Sequence, residues 1–332
     1  LAGRQRQVVD LLSLFQSSQI IGLFGDNGSG KSTISQEALL PELQKGFLGI
    51  GGKNWKTSSI RPGVTPLENL SAGIFNLFES QNKLRLEEEI ELVNRMKSSN
   101  EGLRRVTKQY FDNNTDCNYL LVIDNLEDLF HFRSTASSKT EWETNANSFI
   151  QNISKCASSL EVPLYFLIIL RSDFVSNIFI FRNFHELISK SQYSLPQFRK
   201  SEFQEVIFSL LKPYDVLISK EAVDYLYIEL GKDLKNLKLI SILLKKAREV
   251  IEKNSEKEIN YQVFQTINIK KLYEEKLESF YHSVSESEKK LVEKIFKQIT
   301  SSQEGSNQRK PIRIDQLLKV IGIKFHELKP II

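Results

Sequence analysis

Cysteine is nearly absent: Cys117 and Cys156 are the two in 332 residues, and neither has a second Cys or His at ligand spacing. That excludes a disulfide framework and a cysteine-based zinc site, and both residues read as free thiols. Long apolar runs are missing as well. No stretch approaches the roughly 18–20 residues that a bilayer-spanning helix requires, and the opening residues lack the charged-then-apolar layout of a secretion signal. A cytoplasmic protein with no membrane partner is expected. Internal repeats and low-complexity tracts are absent, which excludes a solenoid. Net charge is small, at +4, with much of the excess in Lys232, Lys235, Lys238, Lys245, Lys246, Arg248 and Lys253. Such a run reads first as a solvated helix face and second as a patch for nucleic acid or an acidic partner. The opening on Leu1 and the apolar close on Ile331 and Ile332 lead us to expect further sequence beyond both.

What is present is a globular balance of 40% hydrophobic and 26% charged residues, enough for a buried core and for two or three domains at roughly 100–200 residues each. Val8, Leu11, Leu12 and Phe15 recur at helical spacing, and the glycine-bounded run Ile20 to Phe24 then reads as a buried strand. A helix over 31–45, broken near Pro41, precedes a weak strand from Trp55 to Ile60 and the turn Arg61-Pro62-Gly63. Pro66 opens another helix, and residues 83–116 carry charge-rich helical periodicity. Tyr119 to Ile123 and Leu164 to Leu170 are two more buried-strand runs, with a helix near 143–159 between them. Continuous apolar strands alternating with amphipathic helices imply a parallel sheet covered on both faces, with its ligand at the carboxyl ends of the strands. The aromatic cluster Phe174, Phe179, Phe181 and Phe184 with Ile178 reads as core. After Leu195-Pro196 the pattern is helix upon helix, at 201–212, 220–230, 234–253, 260–281 and 285–299. Ser301 to Gln308 reads as a polar loop.

Three strand ends carry chemistry. Gly25-Asp26-Asn27-Gly28-Ser29-Gly30-Lys31-Ser32 matches GxxxxGK[ST] between a strand and a helix, the context that pattern requires. Its glycines let the backbone curl so that successive N–H groups and a helix N-terminus face phosphate oxygens. Lys31 supplies charge to the outer phosphates, and the Ser32 hydroxyl is suited to Mg2+. Asp124 ends the next buried strand, where a P-loop enzyme needs a carboxylate for the metal; its alternative is a strand-end cap. Asn125 stands where many such ATPases carry a second acid, so slow hydrolysis of ATP is expected. Glu127 is the candidate for orienting water, with a surface acid at a helix start as its alternative. Arg171 ends the third strand, placed to sense the terminal phosphate or to pair structurally with Asp173 or Glu127.

Taken together these residues resemble the STAND signal-transduction ATPases, in particular a novel STAND class often fused to WD repeats. The resemblance rests on Gly3-Arg4-Gln5 and on GDNGSGKST, which extends the loop to Thr33 and is followed by Ala38 to Leu43. It also rests on Arg61-Pro62-Gly63 with Pro66-Leu67, on Leu121 to Phe130, and on Leu170-Arg171-Ser172-Asp173-Phe174. It implies an α/β P-loop NTPase core with a parallel five-stranded sheet of the additional-strand type over 1–197. An all-α lid over 198–283 and the start of a winged-helix domain over 284–332 would follow. Arg4 would lie near the adenine of bound ATP or ADP, Ser32 and Asp124 would serve Mg2+, and Arg171 would act as sensor. The implied function is a nucleotide-dependent switch that oligomerises with itself on activation, in bacterial defence or stress signalling, with sensor and effector outside this chain. The lid departs from the family pattern: Lys238 stands where a nucleotide-touching proline is expected. Two rival readings stay open, a DNA-associated ATPase of the AAA type that grips duplex DNA and a scaffold that binds nucleotide without hydrolysing it.

Overall fold

A computed structural model describes residues 1–46, 54–78, 85–111, 117–131, 139–159, 162–231, 237–267, 278, 281–282, 285–303, 306–309, 312 and 314–323. Its centre is a sheet of five parallel strands: β1 (Ile20–Gly25), β2 (Trp55–Ile60), β3 (Asn118–Ile123), β4 (Leu164–Arg171) and β5 (Gln192–Ser194), in the order β2-β3-β4-β1-β5. The strand β4 lies between β1 and β3, which is the additional-strand arrangement. Apolar runs form the three central strands because both of their faces are covered. Along β3, Leu121 and Ile123 join one core while Leu120 and Val122 join the other. In β4 the same alternation separates Phe166, Ile168 and Leu170 from Tyr165, Leu167 and Ile169.

Each face has its own helices. One packs under α4 (Pro66–Leu77), α5 (Arg85–Ser98), α6 (Gly102–Phe111), α8 (Lys139–Ala157) and α9 (Arg182–Lys190). The other packs under α1 (Gln5–Phe15) and the helical run that follows β1, made of α2 (Lys31–Thr33), a π-helical segment Ile34–Leu39 and α3 (Leu40–Gln44). The break expected at Pro41 lies earlier, at the π segment, because Pro41 sits in the first turn of α3, where its missing N–H costs nothing. The helix expected over 83–116 is two helices. Gly102 opens the second, and a Cβ there would come within 2.5 Å of the Arg95 carbonyl. A short helix α7 (Asp128–His131) follows β3.

A separate apolar cluster begins at Phe198 and joins α10 (Lys200–Leu211), α11 (Lys220–Gly231), α12 (Leu237–Lys253) and α13 (Tyr261–Thr266). The short strands β6 (Leu217–Ile218) and β7 (Glu258–Ile259) pair beside it. Last come α14 (Glu286–Ile299), the antiparallel hairpin of β8 (Thr300–Gln303) and β9 (Ser306–Arg309), and α15 (Ile314–Ile321). The hairpin replaces the loop read from the polar stretch 301–308. Much of the helix expected over 260–281, together with Lys232, Lys235 and Arg313, lies outside the described residues. Among the described residues no helix is long and apolar enough to cross a membrane. Burial pushes the Cys156 thiol up to about 12, so it packs as a small apolar group. Of the expected aromatic core, Ile178, Phe181 and Phe184 are buried, whereas Phe179 is 59% exposed.

Candidate functional site

The site forms at the carboxyl edge of the sheet, where β1, β3 and β4 all end. After β1 the chain curls through Gly28 (φ 75°) and Gly30 (φ 91°), left-handed conformations that a side chain disfavours. The N-terminus of α2 then faces the loop with N–H groups that have no partner inside the helix. Lys31 is 8% exposed, and its ammonium donates to the carbonyls of Gly25 and Asp26, each at 2.8 Å. Burial lowers its pKa, while the charges of Glu127 and Asp124 act the other way. Asp26, Asn27 and Gly28 form the exposed rim of the loop.

The Ser32 hydroxyl donates to both carboxylate oxygens of Asp124, at 3.0 Å each. Asp124 is 3% exposed. Two hard oxygen donors thus converge beside a phosphate loop, a donor set that fits Mg2+. Among the described residues no group of three or more acids, histidines or cysteines makes a metal cage by itself. That also fits Mg2+, which is held by one or two protein oxygens together with phosphates.

Asn125, in the place of the second acid, is left-handed at φ 57°, a conformation asparagine tolerates. Its N–H returns to Asp124 Oδ1 at 3.1 Å, and the Leu126 N–H bonds the Ile169 carbonyl of β4 at 3.0 Å. The turn carries Glu127 inward rather than to the surface: it is 6% exposed, and its Oε2 accepts the Arg171 N–H at 3.4 Å. This buried acid corrects the surface alternative. Arg171 reaches the same edge, but its guanidinium is paired with Asp173 by bonds of 3.0 and 2.6 Å and lies 5.3 Å from the centre of the Phe174 ring. The pair with Asp173 is thus present.

Arg4 is buried at 2% exposure. It donates to the carbonyls of Ser29, at 3.2 Å, and Pro196, at 2.9 Å, and stacks 3.7 Å over the Phe198 ring. With Ser29, Gly30, Thr33, Phe198 and Leu210 it lines a mainly apolar cavity of about 110 Å³ beside the loop. The Ser29 hydroxyl oxygen is buried against Gly25 without a hydrogen-bond partner.

Two further residues belong to this edge, and sequence reasoning gave neither a role. Arg61 follows β2 and brings Nη2 to 3.7 Å from Asp124 Oδ2. Asp128 accepts the Gly63 N–H at 3.3 Å and is pushed up to about 6, by burial first and then by the neighbouring charges of Glu127 and Asp124. The register places Arg61: pairing of Ile60 with Ile123 sets it beside Asp124.

A phosphate loop on β1, an acid on β3 and an inserted β4 between them define a P-loop NTPase of the additional-strand type. The sequence profile of the Novel STAND NTPase 1 family matches residues 1–327, and the chain belongs to that family. No curated protein matches it significantly. Among solved structures it resembles Drosophila ORC bound to DNA at 13% identity and a TM-score of 0.54, covering 98% of this chain and 75% of that one. Aeropyrum pernix ORC2 in its ADPNP-ADP complexes is similar at 12% identity and 0.54, covering 96% and 91%. ORC1 of the same organism, in complex with DNA, follows at 12% and 0.53, covering 100% and 82%. At these identities the likeness is one of fold.

Proposed function

We propose that this chain is a signalling switch set by its nucleotide, holding ADP or ATP with Mg2+, hydrolysing ATP slowly and assembling with copies of itself when activated. The observation that carries this reading is Arg4. One buried side chain bonds the phosphate loop at Ser29 and, through Pro196 and Phe198, the first residues of the helical unit. Occupation of the loop therefore has a direct mechanical route to α10. The cavity beside Arg4 suits a planar base. Lys31 would hold the outer phosphates, Ser32 and Asp124 the metal, and Glu127 an attacking water. Mg2+, when bound, supplies charge neutralisation at the outer phosphates. Without a carboxylate at Asn125, and with Asp124 assigned to the metal, Glu127 is the buried acid left to orient the water, which supports slow turnover. Arg171 keeps a place in this reading as a residue that orients Glu127 through its backbone.

In this reading 1–197 is the core, 198–283 the lid and 284–332 a winged helix, supported by the separate apolar clusters and the hairpin after α14. Sensor and effector would lie outside this chain, and the cytoplasm, where ATP is abundant, would be its setting. Bacterial defence or stress signalling is the setting drawn from the family. A switch acts only through differential affinity, and moving it from 1:99 to 99:1 takes about 5.5 kcal/mol. The test is to denature the purified chain, identify the released nucleotide, and follow mass by light scattering with ADP or a non-hydrolysable ATP analogue. Bound ADP, lost in Lys31→Ala, and growth in mass with the analogue are expected. An empty wild type that stays monomeric with either nucleotide would overturn the switch.

Duplex DNA is the second reading, and the basic segment favours it less than its composition suggested. Lys246 lies 3.6 Å from Glu249, and Arg248 stacks 3.3 Å over Tyr214, so two of its cations are engaged internally. Salt-sensitive retention of nonspecific DNA would support it.

A further inference from the structure

Arg61 has an anchored backbone and an uncommitted head. It lies one residue beyond β2, on the edge of the sheet beside β3. The Asn69 side-chain amide of α4 donates to the carbonyls of Arg61 and Pro62 at 3.1 and 3.0 Å, and the next N–H, of Gly63, is held by Asp128 at 3.3 Å. The Arg61 side chain itself is 66% exposed, and its approach to Asp124, at 3.7 Å, is too long for a hydrogen bond. Arg171 presents the opposite case. Its guanidinium already makes two charge-assisted bonds to Asp173, so a phosphate would have to share it with that carboxylate.

We infer that Arg61, rather than Arg171, is the cation that reads the outer phosphate of a nucleoside triphosphate at this site. It exchanges a loose pairing with Asp124 for charge-assisted hydrogen bonds to phosphate oxygens. A planar guanidinium suits that task, since it presents paired donors to an oxyanion. Through Asn69 and Asp128 the backbone below it is tied to α4 and α7, two helices that share one core. The inference rests on the nucleotide-binding reading of the site and names the residue that tells triphosphate from diphosphate.

The experiment is a calorimetric titration of ADP and ATPγS, each with Mg2+, into wild type, Arg61→Ala, Arg61→Lys and Arg171→Ala. In Arg61→Ala the loss of one or two charge-assisted bonds should weaken ATPγS by about 10–100-fold and leave ADP within about 2-fold. Arg61→Lys should recover part of that loss, and Arg171→Ala should keep the wild-type ratio of the two affinities. Equal changes for both nucleotides in Arg61→Ala would make Arg61 only a counter-charge of Asp124 and overturn the inference. Loss of discrimination in Arg171→Ala alone would overturn it as well. If the wild type discriminates and Arg61→Ala matches it, only this inference fails. A wild type that binds neither nucleotide removes the site reading too. Ligand-free melting curves of the four proteins separate any folding defect from a binding one.

Discussion

Asp124, Glu127 and Asp128 crowd three carboxyl groups into five residues, and their neighbourhoods divide them. Asp124 has Ser32 and Arg61 near it, and Glu127 has a backbone N–H and the charge of Lys31. Asp128 has one N–H and two like charges, and burial first, then those charges, push it up to about 6 from 3.8. Its proton is therefore held more tightly by the folded chain than by the unfolded one. Stability from this group is complete at acid pH and is lost as the pH rises from about 4 through about 6. Asp128→Asn keeps an oxygen for the Gly63 N–H and removes the titration. Relative to wild type the variant should gain roughly 1 kcal/mol across that window, after allowance for partial exposure. Urea midpoints of both proteins at several pH values measure this, and parallel curves would show that Asp128 does not titrate there.

Elements were legible in the sequence in proportion to their burial. β1, β3 and β4 are apolar throughout because the sheet is covered on both faces, and each was readable from its own residues. β5 was not. It is three residues long, at the sheet edge, and Gln192 and Ser194 are exposed, so no apolar run announces it. The π segment in the helix after β1 was equally hidden, since Ile34 to Leu39 contains no glycine or proline to mark it. Close approach decides one further position. A Cβ at Gly73 of α4 would come within 2.4 Å of Ile60 Cγ2 and 3.1 Å of Leu121 Cδ1. Gly73→Ala gains about 1 kcal/mol of helix propensity but forces α4 off the stiff, β-branched Ile60 at a cost of about 1–3 kcal/mol. Net destabilisation of up to about 2 kcal/mol is expected by chemical denaturation. A stabilised variant would show that α4 shifts freely on β2.

At the scale of the molecule, α1 is the link between the sheet and the helical unit. Gly3 donates to Glu205 at 3.2 Å, Gln7 to Glu202 at 2.8 Å, and Arg4 joins both sides. Burial lowers the pKa of Arg4, opposed by the charge of Glu202, so its cost is offset by specific partners. Arg4→Met keeps the bulk and removes two hydrogen bonds and a cation–π contact, for a loss of about 2–4 kcal/mol in urea unfolding. It should also disconnect the units. In wild type, ADP should slow amide exchange in both the phosphate loop and α10; in the variant the loop should keep its protection and α10 should lose it. Equal protection of α10 in both proteins would mean that Arg4 transmits nothing.

The sequence by itself determined the phosphate loop, the acid of β3 and the alternation of strands with helices. Each of these depends on residue types at fixed short spacing, where backbone conformation and burial leave little choice. The additional-strand sheet was expected from resemblance, and the order β2-β3-β4-β1-β5 bears it out. Only the tertiary structure decided which arginine faces which partner. Arg171 closes on Asp173 two residues away, Arg61 approaches an acid 63 positions later in the chain, and Arg4 reaches Pro196 across 192 positions. A long, flexible cation takes the partner that folding brings within reach, and that choice is made by strand order and helix packing.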